Sequence, residues 1–222
     1  MTKNSKFTLV LCSFLLLFSC GLDVYYFIEP PFNSSSISNP ADDVSQFFSF
    51  TTNGVNNRDP GIVGDMNYLG TQVYYKLYTN DSDLKSQRDS INSANIEYTE
   101  NGIDKLLALG FQKLSCSSYS DPLIRKTPSP KNQNIKITFN NGYYSSAILV
   151  DDENLGIPLR YDNTPFSLEN LSAQDLDVYD SNNDSEEDAS FYILMYAVSV
   201  GTVNLSQRIY SSLCYLGFLQ LQ

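Results

Sequence analysis

The side chains that can carry reactive chemistry in this chain are cysteines and carboxylates, because histidine is absent. The 222 residues contain four cysteines, 25 aspartate or glutamate residues and no histidine. The lack of histidine removes the commonest general base, the Ser–His and Cys–His nucleophile pairs and the commonest transition-metal ligand. The sequence also has no phosphate-binding loop, nucleophile elbow or glycine-rich nucleotide turn. It therefore indicates a protein that is not an enzyme and that needs no cofactor.

Carboxylates leave one catalytic alternative open. Hydrolysis of a glycoside needs only two Asp or Glu side chains at the right separation. No motif singles out such a pair among the 25 acidic residues. A carboxylate-dependent, glycosidase-like hydrolase is therefore the alternative function.

One acidic stretch has the oxygen spacing of a calcium loop. Asp180, Asn182 and Asp184 stand at the first, third and fifth positions of that pattern. Ser185 replaces the glycine that the sharp turn needs, and Phe191 stands where the bidentate glutamate should be. We interpret the stretch as a solvated loop whose charges repel one another, and we assign no metal site to it.

The cysteine at position 20 follows a segment with the pattern of a signal peptide. Lys3 and Lys6 give a cationic start, and residues 7–18 form an apolar run. This run is too short to cross a bilayer, which needs about 20 apolar residues. We expect residues 1–19 to be a signal peptide that is removed.

Residues 17–20, with the sequence Leu-Phe-Ser-Cys, resemble the lipobox of bacterial lipoproteins, and in particular the relaxed lipobox of spirochaete lipoproteins. Leu17, Ser19 and Cys20 match the pattern, whereas Phe18 is bulkier than usual. The resemblance implies that Cys20 is lipidated with a diacylglycerol and usually a third fatty-acid chain such as palmitate. Two or more chains give a stable anchor, which a single chain does not. A secretory signal with a chance cysteine is the alternative.

Lipidation of Cys20 implies a location and a set of partners. The mature chain would be held in the cell envelope, on the inner or the outer membrane, facing the periplasm or the cell surface. Removal of Lys3 and Lys6 leaves twelve basic and 25 acidic residues, a formal net charge of −13. This balance argues against nucleic acid as a partner. The expected partners are the membrane, through the anchor, and a protein of the envelope or of a host.

Two of the other cysteines form a possible disulfide. Cys12 leaves with the signal peptide, so Cys116 and Cys214 remain in an oxidising compartment. Both lie in segments that look like strands. Two buried thiols are the alternative, because spacing in the sequence does not show contact.

The mature chain divides into a short leader and one main domain. Residues 20–40 contain the lipidated cysteine, a first strand over residues 25–28 and a polar tether, and residues 41–222 form the domain. Strands are predicted over residues 47–52, 71–78, 190–200 and 215–221, with a hairpin of residues 135–139 and 143–150. Helices are predicted over residues 82–94 and 102–109. The domain is thus mainly β, with a short helical insertion at about 82–110.

Three segments of this domain resemble strands of the fibronectin type III fold. Residues 71–78 look like its third strand, residues 166–171 like the strand and turn before the penultimate strand, and residues 192–201 like that strand itself. The resemblance implies an immunoglobulin or fibronectin type III-like β-sandwich. The domain is about twice as long as a usual module of about 100 residues. One sandwich with enlarged loops is expected, and two sandwiches are the alternative.

Tyrosine gives the remaining indication of function. The chain has 16 tyrosines, and adjacent ones such as Tyr74 and Tyr75 point to opposite faces of a sheet. One interpretation is that one of each pair lies in the core and that the other is exposed as a contact residue. The alternative is that tyrosine is simply a common strand residue. The predicted function is a membrane-anchored, non-catalytic binding or structural module. A subunit of an envelope assembly without a ligand of its own is a further possibility.

Overall fold

The computed structural model describes residues 27–33, 47–57, 66–117, 121–140, 145–181, 191–204 and 206–221. These residues are mainly β, with two α-helices and short 3₁₀ turns at Gly54–Asn57 and Leu168–Asn170. The helices are α1 (Asp81–Ala94) and α2 (Asn101–Ala108). The strands are β1 (Phe47–Thr51), β2 (Asn67–Tyr78), β3 (Gln112–Lys113), β4 (Ser115–Cys116), β5 (Ile124–Arg125), β6 (Asn134–Thr138), β7 (Ala147–Val150), β8 (Glu153–Gly156), β9 (Pro158–Leu159), β10 (Val178–Tyr179), β11 (Phe191–Val203), β12 (Gln207–Tyr210) and β13 (Cys214–Leu221).

The central sheet is built on β2 and β11, the two longest strands. They pair antiparallel from Tyr78 opposite Tyr192 to Asn67 opposite Thr202. The other edge of β11 pairs with β13 and β12, and the other edge of β2 pairs with β10, β3 and β5. The predicted strands at residues 71–78 and 190–200 are confirmed, and both extend further than the sequence pattern indicated.

A second sheet packs on one face of the central sheet. Its order is β1-β6-β7-β8, with antiparallel neighbours throughout. Ile137 of β6 lies opposite Ile148 of β7, which confirms the predicted hairpin, although β7 begins only at Ala147 and residues 141–144 lie outside the described part. The buried residues of β1, β6 and β7 pack against alternate residues of β2 and β11. The two sheets form a sandwich.

The two helices cover the opposite face of the central sheet. Leu84 and Ile91 of α1 and Ile103 and Leu106 of α2 are buried in one cluster with residues of β2, β11 and β13. The side chain of Asn80 caps α1 by accepting a hydrogen bond from the backbone N–H of Asp83. The predicted helices at residues 82–94 and 102–109 are confirmed within one residue at each end. The chain thus has three layers.

The helical layer corrects the prediction about paired tyrosines. Tyr74 and Tyr75 are 1% and 0% exposed. Tyr74 lies under the helices, and Tyr75 faces the second sheet. The expectation of one exposed tyrosine is therefore wrong at this pair, because the central sheet is covered on both faces.

Two other predicted elements differ in the structure. Residues 27 and 28 lie in no strand, and the segment that contains them instead contacts β1 through a bridge between Phe32 and Thr51. Phe166 is a buried residue that precedes the 3₁₀ turn Leu168–Asn170, so the strand expected near residue 166 is absent from this described segment. The ring of Phe166 contacts those of Tyr75 and Phe139.

Candidate functional site

A concave surface among the described residues lies where the two sheets open at one edge. It is a groove of about 320 Å³, which we call the sheet-edge groove. One wall is β5 with the residues that follow it, and the other wall is β7 and β8. The groove is lined by Leu123, Ile124, Arg125, Lys126, Thr127, Pro128, Gln133, Val150, Glu153, Asn154 and Leu155. A groove of this size is at the lower end of the range for ligand pockets.

The first wall depends on a glycine and a buried glutamine in β2. Gly70 has a φ of +149°, and a β-carbon at this position would lie 2.1 Å from the carbonyl oxygen of Ile124. Only a residue without a side chain therefore lets β5 approach β2 here. The buried side chain of Gln72 accepts a hydrogen bond from the N–H of Leu123 at 3.1 Å and donates one to the carbonyl of Leu114 at 3.0 Å. These contacts fix Leu123 at the groove.

The second wall is fixed by a tight turn between β7 and β8. Asp151 and Asp152 both have left-handed backbone angles, with φ of 49° and 70°. The carboxylate of Asp151 accepts a hydrogen bond from Lys131 at 2.7 Å and another from the N–H of Asn134 at 2.9 Å. These two bonds, that of Lys131 first, lower the pKa of Asp151 below its usual value. The turn is therefore held to β6 by a carboxylate that stays charged.

The chemistry of the sheet-edge groove suits binding. Val150 and Leu155, which are both half-buried, supply apolar surface. Arg125 and Lys126 give one wall positive charge, and Glu153 gives the other wall negative charge. Glu153 is the one carboxylate in the lining. The groove therefore lacks the pair that glycoside hydrolysis needs.

Another pair of carboxylates is brought together by a buried arginine. Arg160 is 2% exposed, and its guanidinium donates to Asp175 at 2.7 Å and to Asp177 at 2.9 Å from Nε. The hydroxyl of Tyr75 donates to Asp177 at 2.6 Å and accepts a hydrogen bond from the N–H of Tyr161. Each carboxylate is thus bound to the same buried cation, so both are engaged inside the protein and neither is presented to a substrate as a general acid. We call this set the Arg160 network and assign it a structural role.

A buried lysine lies between the central sheet and the helices. The Lys76 ammonium donates to Gln87 at 3.2 Å and to the carbonyl of Leu109 just after α2. It also lies 4.7 Å from the ring centre of Tyr179. Burial lowers the pKa of Lys76 to about 8. In the sequence this residue stands out as a lysine in the middle of an apolar and aromatic strand. Its hydrogen bond to Leu109 shows that it caps the C-terminal end of α2.

The predicted site residues fall in different places. Cys20 and the lipobox-like residues lie outside the described part of the chain. Cys116 lies in β4, and Cys214 begins β13, opposite Ala197. Both contact the core between the sheets. They are not bonded to each other in the structure, and the disulfide between them stays a prediction. Burial raises the pKa of the Cys214 thiol to about 12.

The calcium-like loop is described only at its start. Asp180 accepts a hydrogen bond from the hydroxyl of Thr79 at 3.0 Å, and residues 182–190 lie outside the described part. In the described ranges, no three or more Cys, Asp or Glu side chains are grouped so that they could hold a metal ion. Nor does any helix in those ranges have the length and apolarity needed to span a membrane.

Comparison of the chain with protein-family models, with curated proteins and with solved structures found no match.

Proposed function

We propose that this protein is a lipid-anchored component of a bacterial cell envelope that binds another protein through the sheet-edge groove and catalyses no reaction. The observation that carries the binding proposal is the groove itself, with apolar residues between charged walls. The anchor is supported by the lipobox-like residues 17–20, which end in Cys20. The proposed location follows from that anchor.

The proposed occupant of the groove is an extended peptide segment of the partner. β8 and β5 are edge strands among the described residues, so an extended chain can lie alongside them. An apolar side chain of the segment would pack on Leu155 and Val150. A carboxylate of the segment would lie beside Arg125 and Lys126, and a basic group would lie beside Glu153.

The fold proposed for the two sheets is fibronectin type III-like. In that fold the third, penultimate and last strands are neighbours in one sheet. The order β2-β11-β13 in the central sheet, and the pairing of β1 with β6 in the other, support this arrangement. The helical layer and the strands β7 and β8, added beyond β6, are departures from it.

The proposed anchor predicts that one substitution abolishes both lipidation and membrane attachment. Cys20→Ala is expected to abolish incorporation of labelled palmitate and to move the protein from the membrane fraction to the soluble fraction. Cys12→Ala is the matched control, because it removes a cysteine from the apolar run but leaves residues 17–20 intact. Labelling that persists in Cys20→Ala, or that is lost equally in Cys12→Ala, would contradict the anchor.

The groove predicts a site-specific loss of binding. Phage-displayed peptides selected on the immobilised domain are expected to bind the wild-type protein and to lose at least about tenfold in affinity with Leu155→Arg, since one well-packed apolar contact contributes about 1.5–3 kcal/mol. Leu107→Arg is the control, because Leu107 is an exposed residue of α2. Selected peptides that bind Leu155→Arg as well as wild type would refute the groove as the binding site. Hydrolysis of a glycoside that Glu153→Gln abolishes would favour the hydrolase instead.

A further inference from the structure

Three large apolar side chains are exposed where the described chain begins. Phe27, Ile96 and Tyr98 are 51%, 54% and 53% exposed. The rings of Phe27 and Tyr98 contact each other edge to face, with ring centres 5.2 Å apart. Ile96 lies in the same turn as Tyr98, and its carbonyl accepts the hydrogen bond of the Thr99 N–H. We call these three residues the N-terminal patch.

The turn that carries the patch is held firmly. The side chain of Asn95 donates to the carbonyl of Leu213 at 2.9 Å and accepts from its N–H at 2.7 Å. Tyr98 has a φ of 59°, which is rare for a bulky residue and costs conformational energy. The fold therefore keeps an aromatic ring exposed in a strained backbone position. Strain of this kind is concentrated at functional sites.

Phe27 is held against the domain by the residues that follow it. Ile28 is buried and packs against Gly201, where a β-carbon would lie 2.6 Å from the Ile28 side chain. Asn56 accepts a hydrogen bond from the N–H of Glu29 at 2.8 Å and donates one to its carbonyl at 2.7 Å. The chain is thus attached to the domain from residue 28 onward.

The distance from the anchor to the patch is short. Phe27 is the seventh residue after Cys20, and an extended chain spans at most about 3.5 Å per residue, or about 25 Å in total. A lipid on Cys20 would therefore keep the patch within about 25 Å of the bilayer. At such a short tether length the effective concentration is in the millimolar range, so a weak contact is enough to hold the patch on the surface.

We propose that the N-terminal patch contacts the lipid surface beside the anchor and so fixes the orientation of the domain. This inference rests on the proposed lipid anchor. Aromatic side chains with a polar tip are favoured at the interface between headgroups and acyl chains. Glu97 and Glu29 lie close enough to Tyr98 to raise the pKa of its hydroxyl, Glu97 first, through a hydrogen bond. Because these carboxylates repel anionic headgroups, the preferred surface is one of zwitterionic headgroups, which carry no net charge.

The long axis of the central sheet shows which end of the domain would face the membrane. Gly201, which Ile28 contacts, pairs with Tyr68 near the start of β2. Asp177 lies at the other end, where its carbonyl accepts the hydrogen bond of the Leu77 N–H. Leu77 is the ninth residue after Tyr68 along β2, a length of about 30 Å. Leu176, which precedes Asp177 and is 78% exposed, is therefore at the end of the domain that faces away from the membrane.

The chain has no tryptophan, so a single substitution introduces a unique fluorescent reporter. Tyr98→Trp places it in the N-terminal patch, and Leu176→Trp places it at the far end as the matched control. Residues 21–222 of each variant, preceded by a hexahistidine tag, are tethered to phosphatidylcholine vesicles that contain nickel-chelating lipid. With brominated lipid we expect quenching and a blue shift for Tyr98→Trp and neither effect for Leu176→Trp. Circular dichroism and the thermal midpoint must match wild type in both variants.

The outcomes separate the patch from the anchor. Failure of palmitate labelling at Cys20 contradicts the anchor, whereas the nickel tether tests the patch without lipidation. Absence of quenching in Tyr98→Trp, or equal quenching in both variants, overturns the lipid contact. If the Tyr98→Trp reporter is not quenched by the lipid but becomes shielded from solvent when a second protein is added, the patch binds a protein partner instead of lipid. Replacing part of the phosphatidylcholine with phosphatidylglycerol is expected to weaken the quenching, and an increase would overturn the preference for zwitterionic headgroups.

Discussion

Replacing Arg160 with methionine is expected to lower the free energy of unfolding by about 3–5 kcal/mol, because it leaves two carboxylates buried or half-buried without their cation. Asp177 is fully buried, and its carboxylate has Arg160 and Tyr75 as partners. The network also joins distant parts of the chain, since the backbone of Asp177 accepts from Leu77 of β2. Urea unfolding, followed by circular dichroism, measures the change.

A matched control and a double variant make this prediction specific. Arg208 binds Asp121 through two hydrogen bonds of 2.9 Å, but both side chains are about one-third exposed. Arg208→Met is therefore expected to cost no more than about 1 kcal/mol. Adding Asp177→Asn to Arg160→Met is expected to restore part of the lost stability, because the unpaired charge is removed. Equal effects of the two arginine substitutions would contradict the assigned role of the Arg160 network.

Alkaline pH is expected to unfold the protein cooperatively above pH 10. Burial first of all raises the pKa of Tyr74, Tyr75, Tyr78 and Tyr196 well above the usual value of 10.0. A group whose pKa is raised in the folded state contributes stability that is present below its unfolded pKa and is lost as the pH rises above it. Above pH 10, each such tyrosine lowers the free energy of unfolding by about 1.4 kcal/mol for every pH unit. The four together therefore lower it by about 5 kcal/mol per pH unit.

Lys76 has the opposite effect on the free energy of unfolding, and it has it at lower pH. Its pKa falls from 10.5 to about 8 on folding, so the unfolded chain binds more protons between these values and stability rises with pH there. The free energy of unfolding is therefore expected to rise between about pH 8 and pH 9, because of Lys76. It then levels off, because burial raises the pKa of the Cys214 thiol from 9.0 to about 12 and this offsets Lys76, and it falls steeply above pH 10. Tyrosinate absorbance and circular dichroism are followed in parallel, and the part of the absorbance that comes from these four buried rings should appear together with the loss of circular dichroism. Ionisation of these four tyrosines without loss of circular dichroism would show that they are not buried.

The sequence predicted the elements whose signals are local. The β-branched and aromatic run at residues 71–78 marks β2, and the apolar run at residues 190–200 marks β11. The asparagine and glycine near residue 141 mark the turn of the hairpin. A capping residue at the start of residues 82–94 marks α1, whose two apolar residues, Leu84 and Ile91, are buried. In each case the pattern lies within the element that it predicts, so no contact with the rest of the chain is needed to identify it.

The groove and the helical layer depend on contacts that such patterns do not contain. The approach of β5 to β2 depends on Gly70, more than fifty residues earlier, and the burial of Tyr74 depends on where the helices pack. Arg160 reads as an exposed charge in a polar stretch until the fold places Asp175 and Asp177 beside it. The N-terminal patch is also non-local, because Phe27 and Tyr98 meet only in the folded chain.

The position of β11 in the chain has a consequence for how the protein reaches its folded state. This strand lies between β2 and β13, yet it begins only at residue 191 of 222. The central sheet cannot close until residues 191–203 have left the ribosome, long after β2 has been made. Pairing across such sequence distances is slow, because the entropy of a long loop is lost before the contacts form. The topology therefore delays closure of the central sheet until β11 has been made, which is compatible with the proposed export of the protein as an open chain.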